Sequence, residues 1–151
     1  SQPDLFLVIG TGLVDPEVFD MPTHGTVNAH GGLLPGYRGL DTNLWAVYHG
    51  RPEEMYVTLH KMDATFDTGP VYSQRPIPPA PDLEISTLRF HNAVMCTDMF
   101  IELIDKFVSG SATAVPQSGR ENFYYRPIPA ILKPAVNRSL KAYSRRMNGG
   151  T

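Results

Sequence analysis

Gly25–His30 (GTVNAH) followed by Gly31–Gly39 (GGLLPGYRG) is the stretch on which the fold turns. The first six residues read as a short strand. The next nine are rich in Gly and Pro and read as loop. Asn28 and His30 are two residues apart, so on a strand their side chains share one face, beside the Gly-rich turn. A carboxamide beside an imidazole can hold and protonate a developing oxyanion. A carboxylate nearby would set the imidazole tautomer and raise its pKa, and Asp67 stands at another predicted strand end beside a Gly-containing turn. Spacing alone does not separate this reading from a core Asn and His satisfied by backbone groups.

Outward from that stretch the pattern is of alternating strands and helices. Leu5–Ile9 is a continuous apolar run ended by Gly10-Thr11-Gly12, as in a strand covered on both faces of a parallel sheet. Those glycines are not a dinucleotide fingerprint, because the third glycine of G-x-G-x-x-G would fall at Asp15. Thr42–His49 reads as a short helix capped by Asp41 or Thr42 and stopped by Gly50. Met55–Met62 and Val71–Ile77 read as strands, with Asp63–Pro70 (DATFDTGP) a tight loop between them. Ser86–Val108 is the longest predicted helix, with Ser86 as N-cap and Gly110 past its end; apolar residues surround it, which predicts packing on two sides. After a loop-rich stretch with strand potential around Asn122–Arg126, Ala135–Met147 is a basic helix with Val136, Leu140, Tyr143 and Met147 on one stripe. An α/β sheet with helices packed on it accounts for this order.

Composition narrows the function classes. The 151 residues suit one domain, and 42% hydrophobic with 19% charged residues is ordinary for a globular protein. With 13 Lys+Arg against 15 Asp+Glu, there is no overall charge for holding nucleic acid or an anionic membrane, so neither is expected as a partner. A single cysteine, Cys96, excludes an internal disulfide and any multi-cysteine zinc site, and it reads as a buried small residue. No apolar run approaches the roughly 20 residues of a membrane span, and the first residues lack the basic start of a signal peptide, so the chain reads as cytoplasmic. His24, His49, His60 and His91 show no ligand spacing and read as structural. The basic residues Lys133, Arg138, Lys141, Arg145 and Arg146 read as the solvated face of the last helix.

Asn28-Ala29-His30-Gly31-Gly32-Leu33-Leu34-Pro35-Gly36-Tyr37-Arg38-Gly39 resembles the N-x-H-x-x-L-L-P-x-Y-R-G signature of enzymes that take formyl groups from 10-formyltetrahydrofolate. The resemblance runs from about residue 3 to 108, through Trp45-Ala46, His49-Gly50 and Val57-Thr58-Leu59-His60, to Phe66-Asp67-Thr68-Gly69-Pro70. It implies a Rossmann-like formyltransferase fold: α/β, with a predominantly parallel sheet, flanking helices and the site at strand ends. It implies Asn28, His30 and Asp67 as the catalytic trio, 10-formyltetrahydrofolate as co-substrate, a small-molecule amine as acceptor, and no metal. Asn28 and His30 would donate to the oxyanion formed when the amine attacks the formyl carbon. Asp67 would orient His30 and relay the amine's proton towards N10 of the departing folate. By position, Gly10, Thr11, Gly12, Leu13 and Val14, with Asp63, Ala64, Thr65 and Phe66, match segments that wrap the pterin. Leu33, Leu34 and Pro35 would shape the wall beneath it. Tyr37 and Arg38, in an exposed loop, are candidates to meet the acceptor.

Within this family the Gly31-Gly32 pair and Asp41–Trp45 (DTNLW) look most like the branch that formylates nucleotide-linked amino sugars. The tail after the long helix is too short for the β-barrel of methionyl-tRNA formyltransferases. A folate-deformylating hydrolase and a non-catalytic folate-binding relative are the rivals. The family fold normally begins with two or three β–α units before Asp4–Ile9. On that comparison, residues 1–110 are expected to be the C-terminal portion of an N-terminally truncated catalytic domain. Residues 111–151 are then an extension with a short strand and a basic helix. The exposed sheet face and edge would favour poor solubility or a homodimer.

Overall fold

The computed structural model describes residues 2–12, 14–118 and 123–149. Its strands are β1 (Phe6–Ile9), β2 (Thr26–His30), β3 (Tyr37–Gly39), β4 (Tyr56–Lys61), β5 (Val71–Pro76) and β6 (Phe123–Tyr125). Its helices are α1 (Pro16–Phe19), α2 (Thr42–Tyr48), α3 (Ile85–Val108) and α4 (Lys133–Met147).

Alternation decides how the main sheet is placed. In β2 and β4, Val27, Ala29, Val57 and Leu59 point to one face and are at most 5% exposed. They share a core with Cys96, Met99, Phe100 and Leu103 of α3. Each of the Val, Leu, Met and Phe side chains, fully buried, contributes about 1.5–3 kcal/mol relative to an exposed one. The opposite parity, Thr26, Asn28, His30, Thr58 and His60, is polar, so the sheet turns its polar face away from that core and carries the site there.

The sheet has the order β1-β2-β4-β5. The expected α/β class with flanking helices holds, but the sheet is mixed rather than predominantly parallel: β1 pairs parallel to β2, while β2/β4 and β4/β5 are antiparallel. The tight Asp63–Pro70 loop requires the last of these, since a short connection can only join antiparallel neighbours. β1 is an edge strand, half-buried and with Ile9 exposed, not covered on both faces. A separate parallel pair, β3/β6, sets Tyr37 opposite Phe123 and Gly39 opposite Tyr125.

Several boundaries move for identifiable reasons. α3 starts one residue early, because Glu84 and Thr87 form a reciprocal capping box that Ser86 does not. It buries one face only; Phe90, Val94, Ile101 and Val108 form an exposed stripe, against the expected two-sided packing. Asp41 precedes α2 but its side chain does not cap it; its Oδ2 accepts from the Ile128 N–H instead. On α4 the buried stripe is Val136, Leu140 and Ser144, with Met147 exposed. Asn122 lies outside the described residues.

The segment after α3 is built into the same core. Ile128, Val136 and Leu140 are buried there, the Trp45 indole donates to the Arg126 carbonyl, and the Asn137 amide oxygen accepts from the Ile85 N–H. No helix among the described residues is long and apolar enough to cross a membrane.

Candidate active site

On the polar face, the antiparallel register of β2 and β4 sets Asn28 directly opposite His60, and His30 opposite Thr58. Asp67 enters from the β4–β5 loop with a left-handed backbone, φ 54°, a conformation Asp tolerates better than most residues. Its Oδ2 accepts from the Gly39 N–H at 2.9 Å. Its Oδ1 lies 3.5 Å from His30 Nδ1 and 3.4 Å from His60 Nε2. The expected trio is therefore brought together, and a fourth group, His60, joins it.

Backbone carbonyls fix both imidazoles. His30 Nε2 is 2.7 Å from the Tyr37 carbonyl, and His60 Nδ1 is 3.0 Å from that of Lys61; a carbonyl only accepts, so these nitrogens carry the protons. In the neutral rings the lone pairs then sit on His30 Nδ1 and His60 Nε2. His60 Nε2 accepts from the Asn28 Nδ2 amide at 3.1 Å, and both lone pairs flank the Asp67 carboxylate. A proton delivered to Asp67 would find an adjacent acceptor.

Burial pushes Asp67 up, but a second proton on His60 or His30, which turns that ring into a cationic donor to the carboxylate, and the Gly39 N–H outweigh it and hold the carboxyl below its ordinary value. Burial lowers His30, against the opposing pull of the Asp67 charge and the Tyr37 carbonyl. The folded protein thus takes up the His30 proton at lower pH than the unfolded chain. The stability from neutral His30 is complete above the unfolded value, about 6.5, and is lost as pH falls through the folded one. His30→Gln keeps an amide donor for Tyr37 and cannot titrate. Urea unfolding between about pH 7 and 5 should lose stability more steeply in wild type than in His30→Gln; equal slopes would contradict this.

A cavity of about 400 Å³ opens beside these groups. Thr11, Gly12 and Val14 line one side, and Asp63, Ala64, Thr65 and Phe66 another. Asn28, His60 and Asp67 face it, and His30 is not part of its lining. Gly10 follows β1 and is not part of the lining, and Leu13 lies outside the described residues. The Asp63 carboxylate holds its loop, accepting from the Thr65 N–H at 3.0 Å and the Thr68 hydroxyl at 2.6 Å.

Tyr37 is not in an exposed loop. It is 4% exposed, in β3, with its ring stacked on Tyr125 at 5.4 Å. Its carbonyl, rather than its phenol, serves the site, through His30. Arg38 is half-buried, and its Nη2 donates to Gln117 Oε1 at 3.0 Å. Leu34 is buried; its carbonyl accepts from the Gln74 amide, so the 33–35 segment anchors the loop instead of walling the cavity. Gly32 has a steric reason: a Cβ there would lie 2.7 Å from His30 Nε2 and 2.9 Å from the Tyr37 carbonyl.

His60 was legible in principle. Met55–Met62 alternates, and His60 shares strand parity with Thr58. Only the register against β2, which is a long-range property, sets it across from Asn28.

Residues 1–102 match the family model described as formyl transferase. The methionyl-tRNA formyltransferase of Myxococcus xanthus is 35% identical over 94% of this chain and 48% of its own length. That of Thermosynechococcus vestitus is 45% identical over 49% of this chain and 22% of its own. Among solved structures, the formyltransferase PseJ from Anoxybacillus kamchatkensis, in complex with UDP-4,6-dideoxy-4-formamido-L-AltNAc and tetrahydrofolate, superposes with TM-score 0.68. It is 23% identical and covers 83% of this chain and 65% of its own. The chain spans about half the length of the curated relative from Myxococcus xanthus.

Proposed function

We propose that this chain, which belongs to the formyl transferase family, moves a formyl group from 10-formyltetrahydrofolate to a primary amine. The observation that carries the reading is the convergence of Asn28, His60 and the ionised Asp67 on one cavity, with His30 against Asp67. The folate takes the part of the cavity between the Thr11–Val14 turn and the Asp63–Phe66 loop, where Phe66 offers an aromatic face.

The amine nitrogen attacks the formyl carbon and the carbonyl electron pair moves onto oxygen. Asn28 Nδ2 has two hydrogens: one is committed to His60, and the other is left for that oxyanion. The ammonium proton passes to Asp67 Oδ1, shared with His30 Nδ1, and is returned to N10 of the folate as the oxyanion's electron pair re-forms the carbonyl and the carbon–N10 bond breaks. His30 thus acts behind Asp67, rather than as the oxyanion donor expected from the resemblance, since its Nε2–H is held by Tyr37.

For the acceptor, our first reading is an amino sugar on a nucleotide carrier, on the Gly31-Gly32 and Asp41–Trp45 segments. Both also serve the fold here, through the clearance at Gly32 and the Asp41 and Trp45 contacts to the C-terminal segment. The relatives named methionyl-tRNA formyltransferases favour a second reading, an aminoacyl-tRNA amine. The test is competition: equal concentrations of UDP- or dTDP-linked amino sugars and of methionyl-tRNA are offered, and the formamide is read by mass spectrometry. Formylated sugar is expected; formylated methionyl-tRNA alone would replace the first reading by the second.

A further inference from the structure

Asp67 depends on a residue far from it in sequence. Gln117 Nε2 donates to the Asp67 carbonyl at 3.0 Å and to the Gly69 carbonyl at 2.8 Å. Gln117 Oε1 accepts from Arg38 Nη2 at 3.0 Å. The neighbouring residue, Gly39, gives its N–H to Asp67 Oδ2. The result is a closed circuit: β3 holds the carboxylate through Gly39, and holds the backbone of the same residue through Arg38 and Gln117. The segment that carries Gln117 is fixed in turn by the reciprocal Val71–Val115 backbone pair, both bonds 2.8 Å. A loop with a left-handed Asp at its centre needs donors for its carbonyls, and Gln117 supplies two.

We propose that Gln117 is a positioning residue for formyl transfer, clamping the β4–β5 loop so that the Asp67 carboxylate stays between His30 and His60. It lies beyond residues 1–102, the part that matches the family model, so this clamp belongs to the C-terminal segment. The proposal rests on the formyl-transfer reading for its consequence in turnover and on geometry alone for the clamp.

The test uses the full chain with two substitutions. Gln117→Leu keeps the volume and removes every hydrogen bond. Gln117→Glu keeps an acceptor for Arg38 and removes the donors to the two carbonyls. Both are expected to lower kcat by about 10–100-fold, as a catalytic group displaced by about 1 Å does, with tetrahydrofolate affinity within about three-fold. In both, amide exchange at the loop residues 65–69 should rise at least about ten-fold, while Val27 and Leu59 in the strands stay protected. Wild-type exchange at the loop in Gln117→Leu would overturn the clamp. Wild-type kcat in Gln117→Glu, with a loss in Gln117→Leu, would overturn it as well, assigning the effect to Arg38. If wild type itself transfers no formyl group, the functional reading fails, and with it the role in turnover; the exchange result still decides the clamp.

Discussion

Asp67→Asn is expected to lower kcat for formyl transfer by about 10²–10⁴-fold, the range for removing a positioned proton acceptor, with tetrahydrofolate affinity changed less than about three-fold. Asparagine is the informative replacement. It tolerates the left-handed backbone at φ 54° and still offers an oxygen to the Gly39 N–H, so the loop keeps its shape and only the charge and the proton acceptor are lost. Alanine would add backbone strain of about 1–2 kcal/mol and blur the result. Initial rates of tetrahydrofolate release measure kcat, and fluorescence titration measures affinity. A kcat for Asp67→Asn within about two-fold of wild type would remove Asp67 from the reaction.

Gly69→Ala should be strongly damaging for so small a change. A Cβ there would overlap the Lys61 carbonyl oxygen and stand 2.9 Å from its carbon, both backbone atoms that no rotamer change can move. Lys61 ends β4, its N–H bonds the Pro70 carbonyl, and its own carbonyl accepts from His60. Relieving the clash must therefore open the β4–β5 hairpin and shift His60 with it. A loss of about 3 kcal/mol or more is expected, or a fall in Tm of about 6–12 °C for a chain of this length, read by circular dichroism. A Tm within about 2 °C of wild type would contradict the close approach.

These two positions show what one sequence can display. The strands of the main sheet are legible because their signals are local: β1 is a continuous apolar run, and alternation in β4 points Val57 and Leu59 inward. Strand direction was legible in part. The short DATFDTGP connection calls for an antiparallel pair, whereas the apolar run Leu5–Ile9 points to a parallel one, and the sheet contains both. Asn28, His30 and Asp67 stand in one ordered motif of the sequence, and the fold places Asn28 and His30 on one face of β2 with Asp67 against His30. His60 and Gln117 were not found, since each owes its place to pairing across long stretches of chain, His60 to the β2/β4 register and Gln117 to the Val71–Val115 pair. Tyr37 departs from expectation for the same reason: a Gly-rich context reads as exposed loop, while pairing with β6, far along the chain at Phe123, buries it. The exposed stripe on α3 is the converse case, where apolar composition does not bring burial.

The measurement that bears most directly on the central claim is tetrahydrofolate release from 10-formyltetrahydrofolate, followed spectrophotometrically with and without an amine acceptor and paired with mass spectrometry of the acceptor. Amine-dependent release, with one formamide formed for each tetrahydrofolate, is the predicted result. Release at the same rate without amine, yielding formate, would contradict it and assign the Asn28–His60–Asp67 cavity to hydrolysis.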